Sequence, residues 1–309
     1  MAVELYGRDL FGDPVQPPSR GPVADRFTFP PFSILDGRSG DWQDRKRAWS
    51  AMGIKGEVGR DAASIHCPTM ASTESLSDAN YTSIFDPVLC ELIYRWFCPP
   101  GGQVVDPFAG GSVRGIVAGS LGLKYWGSDL RAEQIAANEG QADEIGTDPR
   151  PVWVCGDSME TLETAPGADL VFSCPPYGDL ERYSDDPRDL SSMEWHTFTA
   201  AYRRIIMRAV RKLKENRFAC FVVGDFRDPR GFMRGFVGET IAAFEEQRAH
   251  LYNEAILLTS VGSASMRVTK QFSAGRKLCK VHQNVLVFCK GDPREAAAAI
   301  GTKGDPSWL

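Results

Sequence analysis

From about residue 84 the sequence alternates between short apolar runs and segments with the spacing of amphipathic helices. The apolar runs predict seven strands, at residues 103–106, 124–128, 152–155, 170–173, 218–224, 251–259 and 284–289. The other segments predict helices at residues 87–97, 113–121, 132–142, 193–213 and 233–247, the fourth opened by a capping box at Ser191 and Glu194. Such alternation predicts an α/β, Rossmann-like fold, in which a mostly parallel seven-stranded sheet carries helices on both faces.

The two ends of the chain do not follow this pattern. Residues 1–80 are rich in aromatic side chains and carry six prolines between residues 14 and 31, which favours extended chain draped over a surface. One short helix is predicted at residues 42–52, with Arg45, Lys46 and Arg47 on a solvated face. We therefore divide the chain into an N-terminal extension (1–80), a main domain (81–291) and a C-terminal tail (292–309).

Composition restricts the location and the partners. No apolar run is long enough to span a membrane, and the N-terminus has no secretory signal. The eight cysteines form no CxxC pair and show no zinc-site spacing, which predicts reduced thiols in a cytoplasm and no metal. With 35 basic against 40 acidic residues the formal charge is −5, so a polyanion partner would have to be met by a local basic patch.

Acidic residues follow three successive predicted strands. In open α/β sheets ligands bind at the carboxyl ends of the strands. Asp106 begins the loop DPFAGGS after the first strand, where small residues and a helix N-terminus admit a ligand closely, and its carboxylate suits an ammonium group. Asp129 ends the second strand, where an acid can hold ribose hydroxyls, and Asp157 ends the third, near an adenine amine. Together they predict a site for a nucleoside with a cationic tail.

The fourth predicted strand ends in the sequence FSCPPY at residues 172–177. A DPFAGG loop followed by PPY at the fourth strand resembles S-adenosylmethionine-dependent DNA methyltransferases of the N4-cytosine/N6-adenine type. HQNVLVFCKG at residues 282–291 and TSIFDPVL at residues 82–89 are similar to other segments of that family, so the resemblance covers roughly residues 80–291. The stretch PPFSILDGRSGDWQDRKRAW resembles the N-terminal part of phage-encoded members.

The resemblance implies a class I methyltransferase fold, S-adenosylmethionine as cofactor, and double-stranded DNA as partner in a bacterial or phage-infected cell. It places the base to be methylated outside the duplex, because its target atom is unreachable inside the stack. Tyr177 would stack on that base, the Pro175 carbonyl would accept a hydrogen bond from its amine, and Pro176 would hold the turn rigid. The residues that it assigns to the cofactor are Asp106, Pro107, Phe108, Ala109, Gly110, Asp129, Asp157 and Ser173.

Cys174 departs from the family pattern, in which Asp, Asn or Ser precedes PPY and accepts a hydrogen bond from the target amine. Sulfur is a weak acceptor. In one interpretation Cys174 is chemically idle and the enzyme makes N4-methylcytosine or N6-methyladenine. In the other, which we favour, the thiolate adds to C6 of cytosine and the methyl group goes to C5. The second mechanism needs an acid near N3 of the base, for which Glu181, Asp179 and Asp225 are the candidates.

A basic segment lies between the last two predicted strands. Residues 261–281 contain no acid, and their glycines and serines predict a loop. The segment is the candidate phosphate contact, through Arg267, Lys270, Arg276, Lys277 and Lys280. Residues 178–190 are acidic instead, which predicts a lid or a wall of the active site. An RNA methyltransferase and a catalytically inactive DNA-binding module remain open as alternatives.

Overall fold

The computed structural model describes Tyr6 and residues 21–55, 85–178, 182–259 and 264–301. In these ranges the strands are β1 (Ile34–Asp36), β2 (Gln103–Asp106), β3 (Lys124–Asp129), β4 (Val152–Cys155), β5 (Ala168–Ser173), β6 (Leu213–Val223), β7 (Ala249–Leu258) and β8 (His282–Lys290). They form one sheet with the order β1-β7-β8-β6-β5-β2-β3-β4. Only β8 runs antiparallel to its neighbours among the described strands. The carboxyl ends of the parallel strands therefore share one edge.

Helices cover both faces of the sheet, as the strand–helix alternation predicted. They are α1 (Pro22–Phe27), α2 (Gly40–Ala51), α3 (Pro87–Phe97), α4 (Val113–Ser120), α5 (Ala132–Ile145), α6 (Ser158–Thr161), α7 (Trp195–Lys212), α8 (Phe236–Glu245), α9 (Ala264–Gly275) and α10 (Pro293–Ile300). Successive side chains of β6 enter opposite cores, with Cys220 on the face of α3 and α4 and Phe221 on the face of α7 and α8. Both faces of the sheet are buried under helices, which is why the strands appear in the sequence as continuous apolar runs.

The sheet has eight described strands rather than the seven predicted, because the N-terminal extension adds β1 to the edge of β7. Ile34 to Asp36 pair in parallel with Ile256 to Leu258. Three residues are too few to show a strand period, so the sequence gives no local signal for this strand. The extension also supplies α2, close to the helix predicted at residues 42–52.

Two further local expectations were wrong. Residues 264–275 form the helix α9 and not a loop. Helix α7 has no capping box: it begins at Trp195, Glu194 makes no side-chain cap, and Asp189 caps a separate 3-10 turn at Leu190–Ser192. The C-terminal tail contains α10, whose Ala296 and Ile300 are buried in the core.

No helix in the described ranges is both long enough and apolar enough to cross a lipid bilayer. Within the same ranges, no three His, Cys, Asp or Glu residues are grouped so that they could hold a metal ion.

Candidate active site

A cavity of about 370 Å³ opens at the carboxyl ends of β2, β3, β4 and β5. This is where the strand order reverses, since the chain runs outward from β2 to β3 and β4 and then returns to β5 on the other side. The predicted residues that line the cavity are Pro107, Phe108, Gly110, Asp129, Asp157, Cys174, Pro175, Pro176 and Tyr177. One wall therefore combines the acidic strand ends with the CPPY turn.

Asp106 is fully buried and does not line this cavity. Its Oδ2 accepts hydrogen bonds from Arg114 Nε at 2.6 Å and from the Tyr125 hydroxyl at 2.7 Å. Its Oδ1 accepts from Ser173 Oγ at 2.5 Å and from the Phe108 amide at 3.1 Å. A carboxylate has about four acceptor positions, so protein donors already fill all of them. In this structure Asp106 thus holds the loop, and its expected contact with a cationic ligand stays a prediction.

Arg114 holds the loop at residues 106–110 through hydrogen bonds, a role that the sequence did not indicate. Its Nη2 donates to the carbonyl oxygens of Phe108 at 2.5 Å and Ala109 at 2.9 Å, and its guanidinium lies 4.5 Å from the centroid of the Phe85 ring. Burial would lower the pKa of Arg114, but the charge of Asp106 outweighs it and raises the pKa, so the group stays a cation. The available signal was one arginine in the otherwise apolar segment VRGIVAG.

Asp129 and Asp157 do line the cavity. Asp129 accepts from the Gly110 amide at 3.0 Å and from the Arg131 amide at 2.9 Å, one bond to each oxygen. Burial raises its pKa above the usual range despite these donors. Asp157 caps α6 by accepting from the Met159 amide at 2.8 Å. In both side chains, acceptor positions remain beyond those used by the protein.

The loop between these acids is closely fitted. Gly110 has a φ of 51°, a left-handed conformation that favours glycine, and its carbonyl accepts from Asn138 Nδ2 at 2.8 Å. The Pro107 carbonyl accepts from Ser158 Oγ at 2.5 Å. Phe108 presents an aromatic side chain to the cavity, whereas Ala109 is buried behind it.

The CPPY turn is the second group of lining residues. The Tyr177 hydroxyl accepts from Gln283 Nε2 at 2.7 Å and lies 3.8 Å from Cys174 Sγ. The Tyr177 ring stacks on Phe226, with centroids 6.5 Å apart. Burial raises the pKa of Tyr177 well above its ordinary value, so the hydroxyl remains neutral. Gln283 also lines the cavity; the sequence pointed to its segment HQNVLVFCKG but not to this side chain.

Two further predicted residues, Ser173 and Asp225, are not part of the cavity lining. Ser173 is fully buried and donates to Asp106 rather than facing a ligand. Asp225 is not part of the lining, and its Oδ1 accepts from the Val237 amide at 3.2 Å. Glu181 lies outside the described residues. Asp179 also lies outside them.

The N-terminal extension forms part of the cavity wall through Gln43 and Lys46 of α2. Two buried tryptophans and an ion pair fix this helix on α3. Arg45 donates to both carboxylate oxygens of Glu91, at 2.6 and 2.5 Å, and Trp49 Nε1 donates to the same carboxylate at 2.9 Å. Arg45 therefore belongs to the interior and not to the solvated face that was predicted. Burial would raise the pKa of Glu91, but the hydrogen bonds and charge of Arg45 lower it to about 2.

The described part of the acidic segment contributes Tyr183, Arg188, Asp189 and Leu190 to the cavity lining. Arg188 pairs with Asp186 at 2.7 Å, so part of the acidity is neutralised within the segment.

The basic segment lies mostly at the surface. Lys270 is exposed on α9, and the exposed Arg276 lies 5.1 Å from the centroid of the Phe272 ring. Lys277 is half-buried. Lys280 Nζ donates to Asn284 Oδ1 at 3.4 Å, and burial lowers its pKa. Arg267 is in α9, and its side chain lies outside the described part of the chain.

The sheet order and the cavity define the class of fold. With β1 set aside, seven strands of which β8 alone is antiparallel form the Rossmann-like sheet of the class I methyltransferase fold, as predicted. No protein-family model matches the sequence, and no curated protein matches it significantly.

Several solved structures with weak similarity are methyltransferases. TrmN from Thermus thermophilus is 15% identical over 66% of this chain, with a TM-score of 0.45. The matched region spans 48% of TrmN, about half its length. Precorrin-6y C5,15-methyltransferase from Geobacter metallireducens is 10% identical, with a TM-score of 0.44 over 72% of this chain and 94% of that one. Magnesium protoporphyrin IX methyltransferase from Synechocystis, solved with bound SAM, is 11% identical, with a TM-score of 0.39 over 62% and 71%.

Proposed function

We propose that this protein is a DNA methyltransferase that uses S-adenosylmethionine and acts on a base swung out of the duplex. One observation carries the proposal: two strand-end carboxylates and the CPPY turn line the same cavity at the switch point of the sheet. The first set suits a nucleoside, and the second suits a planar base next to it. The resemblance of the DPFAGG and PPY segments to DNA amino-methyltransferases supports DNA as the substrate.

The residues present fit S-adenosylmethionine. The cavity volume lies in the range of small-molecule sites. Asp129 and Asp157 have acceptor positions for ribose hydroxyls and an adenine amine, and Phe108 adds an apolar surface. When bound, this cofactor supplies a methyl group activated by a sulfonium centre. The remaining requirements fall to the protein: it must hold the base, exclude water and manage one proton.

Cytosine C5 is the target atom that Cys174 favours. Cys174 lines the cavity, and the buried cation of Arg114 interacts with it electrostatically. After loss of its proton, the Cys174 sulfur would bond to C6 of the base, which makes C5 the carbon that takes the methyl group. Removal of the C5 proton by a base would then restore the ring double bond and break the S–C6 bond.

Methylation of an exocyclic amine is the second candidate, and the position of Asp225 favours it. The C5 reaction needs an acid near N3 of the base, whereas Asp225 does not line the cavity. Amine methylation needs only an acceptor for the amine hydrogens, and Pro175, whose carbonyl would be that acceptor, lines the cavity. The products would be N4-methylcytosine or N6-methyladenine.

Product identification decides between these reactions. Full-length protein is incubated with methyl-labelled S-adenosylmethionine and unmethylated genomic DNA, which is then digested to nucleosides and analysed by mass spectrometry. We expect label in 5-methylcytosine and none with Cys174→Ala. Label in N4-methylcytosine or N6-methyladenine supports the second candidate. If RNA offered in place of DNA is labelled and DNA is not, the proposal that DNA is the substrate is wrong. If calorimetry detects no binding of S-adenosylmethionine, the proposal that the protein is a methyltransferase is wrong.

A further inference from the structure

A hairpin at residues 226–234 follows the carboxyl end of β6, and no site residue was predicted within it. Arg227 and Met233 form an antiparallel bridge across it. The Arg234 amide donates to the Phe226 carbonyl at 2.9 Å, and the Asp228 amide donates to the Phe232 carbonyl at 2.8 Å. Gly231, with a φ of 96°, makes the turn. These bonds give the hairpin a defined shape.

The tip of the hairpin exposes apolar side chains between cations. Phe232 is 67% exposed and Met233 is 48% exposed. The Arg230 guanidinium lies 5.6 Å from the centroid of the Phe232 ring, and its side chain is 82% exposed. Two large apolar side chains at the tip of an ordered turn, next to arginine, are characteristic of a surface that contacts a partner.

The base of the hairpin packs directly on the candidate active site. Phe226, its first residue, stacks on Tyr177 of the CPPY turn. At the other end Arg234 lies 4.9 Å from the centroid of the Trp195 ring, and Trp195 contacts Phe226 edge-on at 5.7 Å. The hairpin therefore begins next to the place where the proposed function puts the base.

The hairpin is also continuous with the basic segment. A Cβ atom on Gly231 would lie 2.7 Å from Nζ of Lys277, so that amine rests against the backbone of the turn. Residues 225–234 and 264–281 together contain eight arginines and lysines against two aspartates, in a chain whose formal charge is −5. These two segments carry a net positive charge, whereas the remaining residues together carry a net negative charge.

We propose that this hairpin enters double-stranded DNA, with Phe232 as an apolar wedge between base steps beside the target nucleotide and with Arg230 and Lys277 on the flanking phosphates. The inference rests on the proposed function. Proteins that unstack a duplex insert Phe, Leu, Ile or Met between bases, and neutralised phosphates supply much of the binding energy. The wedge offsets part of the cost of swinging a base out of the stack.

A wedge predicts a difference between paired and unpaired substrates. In denatured DNA the base is already unstacked, so Phe232→Ala should lower methyl transfer to native duplex by about tenfold or more and affect denatured DNA much less. Phe232→Leu, which keeps an apolar wedge, should restore most of the activity on duplex. Cofactor affinity, measured by calorimetry, should be unchanged in both variants. Phe32→Ala is the matched control, because Phe32 is 68% exposed but precedes the amino end of β1, at the opposite edge of the sheet.

The outcomes separate this inference from the proposed function. If the wild type methylates DNA and Phe232→Ala does so equally well on duplex, the wedge is wrong and the proposed function stands; a protein partner for the tip would give this result. Equal loss in Phe232→Ala and Phe232→Leu, or the same loss in Phe32→Ala, also contradicts it. If the wild type neither binds nor methylates DNA, both fail.

The phosphate contacts have their own measurement. Each of Arg230→Ala and Lys277→Ala should reduce the slope of log affinity for duplex against log salt by about 1. Arg150→Ala, an exposed arginine paired with Asp143 at 2.9 Å, should leave the slope unchanged. Unchanged slopes in the first two variants would place the DNA elsewhere.

Discussion

Arg114 holds several groups of the candidate site in place, although the sequence analysis did not single it out. It neutralises Asp106, holds two carbonyls of the loop that would meet the cofactor, and interacts electrostatically with Cys174. A lysine cannot reproduce these bonds, because its ammonium is a single point and not a planar fork. Replacing Arg114 with lysine therefore keeps the positive charge and removes the hydrogen bonds to the loop, so these two roles can be tested separately.

For Arg114→Lys we expect cofactor affinity to fall by about tenfold, since the Phe108 and Ala109 carbonyls lose their fixed donor. Calorimetric titration of S-adenosylmethionine measures this loss. Arg150→Lys, an exposed substitution of the same kind, should bind normally. Normal binding by Arg114→Lys would show that the loop holds its shape without the guanidinium.

If Asp129 holds the cofactor as proposed, binding of S-adenosylmethionine should be sensitive to acid. Its raised pKa means that it takes up a proton at a higher pH than an ordinary aspartate, and the neutral form is a poorer acceptor. The charged groups that influence it are Arg131, which lowers the pKa, and Asp189, which raises it. Affinity should thus weaken as pH falls through the raised pKa. In Asp129→Asn we expect weaker and pH-independent binding at this site; a profile identical to the wild type would exclude Asp129.

At the scale of elements, the docking of α2 on α3 determines whether the cavity has a complete wall. Helix α2 contributes Gln43 and Lys46 to the lining, but it has few other buried side chains apart from Trp42 and Trp49. The ion pair between Arg45 and Glu91 sits between these tryptophans. Removing one partner of such a buried pair leaves an uncompensated charge.

Glu91→Gln should lower the free energy of unfolding by about 3 kcal/mol, because Arg45 stays buried without its counter-charge. Denaturant titration measures this change, with Glu144→Gln, at an exposed pair with Lys55, as the control. A loss below about 1 kcal/mol would show that α2 is held by its tryptophans alone.

The Glu91 carboxylate also makes the stability of the fold depend on pH in the acidic range. The folded-state pKa of Glu91 is about 2, below that of the unfolded chain, so its contribution is complete above the unfolded-state value near 4.3. The contribution is lost as pH falls from there towards 2. Wild-type stability should therefore decline over this interval more steeply than that of Glu91→Gln, which lacks the titrating group.

At the scale of the whole molecule, the N-terminal extension is part of the fold. β1 covers the outer edge of β7, and α2 closes one wall of the cavity. Deleting residues 1–55 would expose an edge strand of ten residues, a template for pairing with other chains. We expect the shortened protein to associate and to lose cofactor affinity, as measured by light scattering and calorimetry. A monomeric product with normal binding would make the extension dispensable.

The sequence predicted the main sheet well, because each buried strand is a continuous apolar run that local pattern can reveal. β2 and β4 have the predicted bounds, and α3 does as well. What it could not predict depends on partners distant along the chain. Arg45 appeared solvated because Glu91 is 46 residues away, and Asp106 appeared free because its donors include Tyr125 and Ser173.

The Asp106 cluster has a consequence for how this protein can vary. Arg114, Tyr125 and Ser173 all donate to that one carboxylate, from α4, β3 and β5. A replacement at any one of these positions leaves buried polar groups of the others without a hydrogen-bond partner, so it lowers the stability of the fold. Replacing all of them together need not lower it. Among related chains we therefore expect positions 106, 114, 125 and 173 to change together, as one inherited unit whose last member immediately precedes Cys174.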